Sequence, residues 1–160
     1  MSAHPGTPAV PLVAIEAEQS VIGSLLLDNA AVDRITVPLV AEHFSREAHR
    51  RIWRAILRLM GEGKPADVVT VFEAMESSGE AERCGGLPYL GEIAAATYSA
   101  ANVRRYAEIV TERAALRALA AVSEEIAGLV ADPSLSLAEK LQAAQGRAMA
   151  VADASAARRT

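Results

Sequence analysis

Cysteine occurs once in this 160-residue chain, at Cys84. That excludes an intramolecular disulfide and any zinc site built on several thiolates, and it fits a reducing cytoplasm. Aromatic residues are equally scarce at 4%, a composition that suits closely packed helices better than a sheet. A surplus of positive charge is missing too. The net charge is −4 and the isoelectric point about 5.4, which argues against a module whose main task is gripping duplex DNA by its phosphates. No segment approaches the roughly 20 uninterrupted apolar residues of a membrane-spanning helix. The first residues lack the basic start and apolar core of a signal peptide.

What the chain does have is 51% hydrophobic residues, many of them alanine, the best helix former. The expected fold is all-α: a compact orthogonal helix bundle followed by a long C-terminal helical hairpin. Residues 1–14, punctuated by Pro5, Pro8 and Pro11, predict a flexible arm. The bundle is expected over 15–98, the long helix and hairpin over 99–152, and a tail or linker start over 153–160.

Within the bundle, Ala17, Val21, Ile22, Leu25 and Leu26 recur at helical spacing from Ile15 to Leu27, with Glu16 and Glu18 in the first turn where the helix dipole favours negative charge. Asn29 predicts the cap of a short second helix through Ile35, ended by Pro38. A third helix is expected from Arg46 to Met60, with Ile52, Ala55, Ile56 and Leu59 inward, Trp53 at its edge, and a stop at Gly61 and Gly63. Val68 to Phe72 are good strand formers, yet Asp67 as an N-cap and Val68, Val71, Phe72 and Met75 at helical spacing predict a helix. Gly85 and Gly86 mark a turn, and Pro88 suits the first position of the next helix.

From Ser99 onward, Val103, Tyr106, Val110, Leu116, Leu119, Val122, Ile126 and Leu129 predict one long helix or two abutting ones. Asp132, Pro133 and Ser134 break it, and Ser136 with Glu139 forms a capping box for a last helix carrying Leu137 and Leu141. A short loop forces the two segments antiparallel. Two helices cover only part of each other's apolar surface, so Leu116, Leu119, Ile126, Leu129, Leu137 and Leu141 are the candidate self-association residues.

Catalytic motifs are harder to find. Lys64 follows Gly63, but Arg58 stands where the first glycine of a phosphate-binding loop belongs and Pro65 where its hydroxyl is required. Lys140, the other lysine, lies within the last predicted helix. His43, Glu47 and His49 do not share the helical face that a pair of metal-binding histidines would need; His49 is expected to pack or hydrogen-bond where its helix begins. Cys84 has no resolving partner, and Trp53 and Tyr106 suit the core. Arg46, Arg50, Arg54 and Arg58 recur every four residues, with Arg51 beside them, as a candidate face for nucleic acid or an acidic partner. A solvated helix face is the simpler account, since no aromatics interleave with it.

Five separated segments carry a resemblance. Residues Glu16 to Gly23, EAEQSVIG, are similar to the first-helix signature of the N-terminal domain of DnaB-type replicative DNA helicases. Phe44, Arg46, Ala48, His49, Arg50 and Ile52 resemble the start of its third helix, and Gly63, Lys64, Pro65, Asp67, Val69 and Thr70 the loop and helix start that follow. Gly85, Gly86, Leu87, Tyr89 and Leu90, then Ser99 to Val103, complete the set in order, covering about 15–117 directly. Ala14 departs from the family's polar cap, and Ser45, Glu47 and Tyr98 stand where it more often has an aromatic and two prolines.

The resemblance implies a domain with no catalytic residues or cofactor of its own. ATP and magnesium would belong to a following motor domain, none of whose motifs falls within these residues. It implies a collar that pairs through the hairpin, as a dimer or a ring built as a trimer of dimers, and receives primase or a helicase loader. Direct DNA contact stays open. A stand-alone phage- or plasmid-like regulator that captures primase or helicase, or a single-strand-binding module using the arginines, are the alternatives.

Overall fold

The computed structural model describes residues 9–156. Six α-helices follow one another: α1 Ile15–Leu27, α2 Glu47–Gly61, α3 Val68–Ser77, α4 Gly86–Ala96, α5 Val103–Ala131 and α6 Leu137–Ala156. Three short 3-10 turns, Asn29–Arg34, Ala41–His43 and Glu82–Cys84, join them. No strand occurs among the described residues, so the all-α expectation holds.

Helix α1 is the centre of the bundle. It packs on α2, α4 and the first part of α5, and Ala17, Glu18, Val21, Ile22, Gly23, Ser24, Leu25 and Leu26 are all buried. A helix buried over most of its circumference, not the one-sided amphipathic helix that its apolar spacing predicts, is what a central position demands. Gly23 shows why. A Cβ there would overlap the Thr97 hydroxyl and lie 3.1 Å from the Ile93 carbonyl, so only glycine lets α4 and the residue beyond its end approach this closely. Around α1 gather Phe44, Ile52, Trp53, Ile56, Val71, Met75, Leu90, Ile93 and Val103. Burying each such large side chain stabilises by roughly 1.5–3 kcal/mol relative to exposure.

Several local predictions change. Asp28, not Asn29, caps the turn after α1, accepting from the Ala30 N–H at 3.1 Å. The Asn29 amide instead donates to the Leu25 and Ala66 carbonyls, both at 2.7 Å, and accepts from the Ala66 N–H at 2.9 Å. It thereby pins the loop before α3 to the end of α1. Trp53 is buried rather than at an edge, 5.2 Å from the Phe44 ring, and its indole N–H has no partner among the described residues. Helix α2 runs through Gly61, and the chain reverses at Gly63 with φ +72. Helix α4 starts at Gly86, so Pro88 sits third in its first turn, where an N–H would have no intrahelical acceptor anyway.

Asp67 does cap α3: it accepts from the Thr70 N–H at 2.9 Å while Thr70 Oγ1 accepts from the Asp67 N–H at 2.8 Å. That reciprocal cap settles helix over strand for the β-branched run.

Helix α5 is a single element of 29 residues, about 44 Å long. Its first half buries Val103, Ala107 and Val110 in the bundle core, and its second half buries Val122 and Leu129 outside that core, along the antiparallel α6. Ser136 Oγ accepts from the Glu139 N–H at 3.2 Å, and Lys140 Nζ donates to the Val130 carbonyl at 2.7 Å, capping the end of α5. Helix α6 extends to Ala156, four residues into the predicted tail; 157–160 lie outside the described residues.

Of the predicted flexible arm, residues 1–8 lie outside the described residues. The part just before α1 is tied down. Arg113 donates to the Pro11 carbonyl at 3.1 Å, and Arg117 to the carbonyls of Leu12 at 2.9 Å and His43 at 2.8 Å. These bonds act where Ala14 gives α1 no side-chain cap.

Candidate assembly surface

The hairpin predictions sort into two groups. Leu129 is buried, and Leu116 and Ile126 are half-buried; Leu129 with Val122 serves the contact between α5 and α6. Leu119, Leu137 and Leu141 are 50%, 72% and 63% exposed, joined by Val130 at 67%.

These exposed residues share one side of the hairpin. At about 100° per residue, Leu119, Ile126 and Val130 lie about 50–90° round α5 from the line through Val122 and Leu129. On α6, Leu137, Leu141 and Ala148 lie about 60–100° round, in the same sense, from the face made by Lys140, Ala143, Ala144 and Val151. Equal rotation on two antiparallel helices points both strips to the same broad side. From Leu119 onward the α5 strip reads Leu119, Ser123, Ile126, Val130, and the α6 strip Leu137, Leu141, Ala148, Ala152. Neither contains a charge, whereas the hairpin elsewhere carries pairs such as Arg147 with Glu125 at 3.7 Å.

Inside the bundle, a buried polar row joins three helices. Glu18 of α1 is 1% exposed. Its carboxylate accepts from the Ser45 N–H at 3.0 Å, the Ser45 hydroxyl at 2.6 Å and His49 Nδ1 at 2.8 Å. His49 of α2, fully buried, meets the Tyr89 hydroxyl of α4 through Nε2 at 2.7 Å, and Gln19 Nε2 donates to that hydroxyl at 3.0 Å.

Hydrogen-bond counting assigns the protons. The Glu18 carboxylate can only accept, so His49 donates to it through Nδ1; Nε2 of the neutral ring then accepts from the Tyr89 hydroxyl, whose oxygen accepts from Gln19. Every member is then satisfied. Burial pushes the Glu18 carboxyl up, but the bonds from His49 and Ser45 pull it further down, leaving it below the ordinary carboxylate range. The order of groups is that of a nucleophile, base and orienting carboxylate. Here the row is enclosed in the core, and it holds α1, α2 and α4 in register.

A family model of the DnaB-like helicase N-terminal domain matches residues 10–112. The chain belongs to that family. A replicative DNA helicase DnaB from Geobacillus stearothermophilus is 43% identical over 118 residues, covering 74% of this chain and 26% of the relative. One from Rhodothermus marinus is 34% identical over 150 residues, covering 94% and 16%. The chain thus spans at most about a quarter of the length of these curated relatives. Among solved structures, the crystal structure of the N-terminal domain of DnaB helicase from Mycobacterium tuberculosis superposes with a TM-score of 0.80 at 35% identity, covering 88% of this chain and 99% of that one. The structure of a DnaB-like replicative helicase, described with its interactions with primase, gives 0.69 at 25% identity, covering 86% and 31%.

The residues that carry the DnaB-type signature have core tasks in this chain. Ala17, Val21 and Ile22 fill the centre, Glu18 anchors the polar row and Gly23 admits the close approach at Thr97. Two departures from the family pattern also acquire roles: Ser45 gives Glu18 two hydrogen bonds, and Glu47 pairs with Arg50 at 2.7 Å and Arg51 at 2.8 Å. Apolar periodicity offered no sign that Glu18 is buried, because an acid in a first turn is ordinarily solvated.

The four candidate arginines do not form one free stripe in this DnaB-type domain. Arg46 precedes α2 as its N-cap residue. Arg50 is held by Glu47 and by the carbonyls of Phe44 at 2.8 Å and Ser45 at 3.1 Å, and Arg54 pairs with Glu42 at 3.2 Å. Arg51 is shared between Glu47 and Glu80. Only Arg46 and Arg58 of the four lack an ion pair among the described residues.

The histidines considered as metal ligands are engaged elsewhere, His49 as above and His43 with its Nδ1 accepting from the Val40 N–H at 3.0 Å. Cys84 is buried, and burial pushes its thiol up, away from the reactive thiolate. No helix among the described residues is long and apolar enough to cross a membrane.

Proposed function

We propose that this chain acts as a non-catalytic collar domain of a replicative helicase in the cytoplasm, pairing with a second copy through the α5–α6 hairpin. The observation that carries the proposal is the uncharged strip bearing Leu119, Val130, Leu137 and Leu141. Each of these side chains would contribute roughly 1.5–3 kcal/mol on full burial, and isologous pairing of two hairpins covers the same strip on both. Pairs repeated round an axis give a ring as a trimer of dimers. The bundle is left facing outward for primase or a helicase loader, in keeping with the primase interactions described for the similar DnaB-like helicase. No hydrolytic step is assigned to these residues, because Arg58 and Pro65 occupy positions that a phosphate-binding loop gives to glycine and a hydroxyl.

Light scattering on the wild type and on the Leu119→Asp, Leu141→Asp double variant tests this. Dissociation to monomer, with the far-ultraviolet circular dichroism unchanged, is the expected result. A wild-type oligomer retained by the double variant, or a wild type that is monomeric at all concentrations, refutes pairing through this face.

A further inference from the structure

A second apolar surface lies on the bundle, between α3 and α4. Two adjoining depressions of about 460 and 620 Å³ share Phe72, Glu76 and Leu87 as walls. Val69 extends the apolar floor at one end and Pro88 at the other. Val69 and Leu87 are exposed despite sitting in regular helices. Isolated exposed apolar residues need no explanation, but a contiguous groove of them does.

The rim of the groove decides what would fit it. Glu73, Glu76 and Glu82 line it, all exposed, and none of the three side chains forms an ion pair or hydrogen bond among the described residues. Other acids of the bundle do pair with arginines, as Glu42, Glu47 and Glu80 do. Arg83, on the turn before α4, lines neither depression. Helix α3 contributes no basic residue. An apolar floor rimmed by carboxylates that form no ion pair complements a helix with apolar anchors on one side and cations flanking them. The 10 residues of α3 give a wall about 15 Å long, which accommodates about three turns and anchors at i, i+4 and i+7.

We propose that the α3–α4 groove docks a basic amphipathic helix of a partner protein. The site uses elements other than the hairpin, so it stands or falls separately from self-association.

The test uses the full chain and a fluorescein-labelled synthetic helix of about 16 residues with leucines at i, i+4 and i+7 among lysines. Its controls are a scrambled peptide of the same composition and an acidic version with glutamates for the lysines. Fluorescence anisotropy should show saturable binding of the designed helix, at least about tenfold tighter than either control. Amide shift changes should centre on Val69, Phe72, Glu76 and Leu87. Val69→Asp with Leu87→Asp should weaken binding about tenfold or more. The conservative Glu73→Gln, Glu76→Gln, Glu82→Gln variant, whose exposed positions leave the fold intact, should weaken it about threefold to tenfold at low salt and flatten its salt dependence. Equal binding of the scrambled peptide, shifts confined to the hairpin, or indifference to the glutamine substitutions would each overturn the proposal.

Discussion

Replacing Glu18 separates the buried row from ordinary core packing, because two substitutions at this position lose different parts of it. In Glu18→Ala, the Ser45 N–H, the Ser45 hydroxyl and His49 Nδ1 all lose their acceptor. The hydroxyl can rotate, which leaves two buried donors at about 1–3 kcal/mol each. Adding the space vacated by the side chain, a loss of about 3–5 kcal/mol is expected. Glu18→Gln keeps one carbonyl oxygen, which can still accept both Ser45 bonds because they share Oε2. Its NH2 group then faces His49, which must donate through Nε2 instead, leaving the Tyr89 hydrogen without an acceptor. One unmade bond and the lost charge predict about 1–3 kcal/mol.

The pH dependence follows from the carboxylate. Its folded-state pKa is lowered, so its contribution is fully present above the unfolded carboxylate value and is lost as pH falls through the folded one. Between about pH 7 and about pH 3, the stability gap between wild type and Glu18→Gln should therefore hold level down to the unfolded carboxylate value and narrow below it, as the wild-type carboxylate takes up its proton. Urea unfolding followed by far-ultraviolet circular dichroism, repeated across that range, measures the gap directly. Parallel curves for the two proteins, or a cost below about 1 kcal/mol for Glu18→Ala, would show that the row is not the stabilising contact described.

Gly23→Ala should destabilise by about 1–3 kcal/mol, since the added methyl overlaps Thr97 and cannot be accommodated without moving α4; adding Thr97→Ala should restore part of that loss in thermal melts. A Gly23→Ala protein as stable as wild type would refute the close approach. Arg117→Met keeps the aliphatic stem but removes the donors to the Leu12 and His43 carbonyls. It should cost about 1–2 kcal/mol and raise the mobility of Leu12, Val13 and Ala14 in backbone nitrogen relaxation, with α6 unaffected. Unchanged relaxation there would mean that the segment before α1 is held by other contacts.

Elements set by local chemistry were legible in the sequence. The α3 cap lies within four residues, from Asp67 to Thr70, and the break between α5 and α6 within five. Both depend only on neighbours in the chain, so residue type is enough to read them. Position within the bundle was not legible in the same way. The arginine stripe is correctly spaced on the sequence, yet Glu42, Glu47 and Glu80 reach it from other turns and elements. Likewise the hairpin leucines share one apolar character, and only the antiparallel register separates Leu129, which the hairpin covers, from Leu119, which it leaves exposed.

The first helix shows most clearly where sequence reasoning stops. EAEQSVIG announces a helix by its spacing and a family by its resemblance, but neither says why an acid and a glycine belong in it. A glutamate in a first turn is satisfied by water and the helix dipole unless other elements close over it. Here α2, the residues just before it and α4 do close over it, and they bring a serine, a histidine and a tyrosine with compatible donors and acceptors from 27, 31 and 71 positions away. Once those partners are in place, Glu18 cannot be exchanged for an apolar residue without stranding them, and Gly23 cannot grow without parting α1 from α4. The segment that identifies the family is thus tied to the architecture of the bundle. Surfaces for assembly have to be sought where no such mutual constraint operates, on the uncharged side of the hairpin and in the acidic groove of α3 and α4.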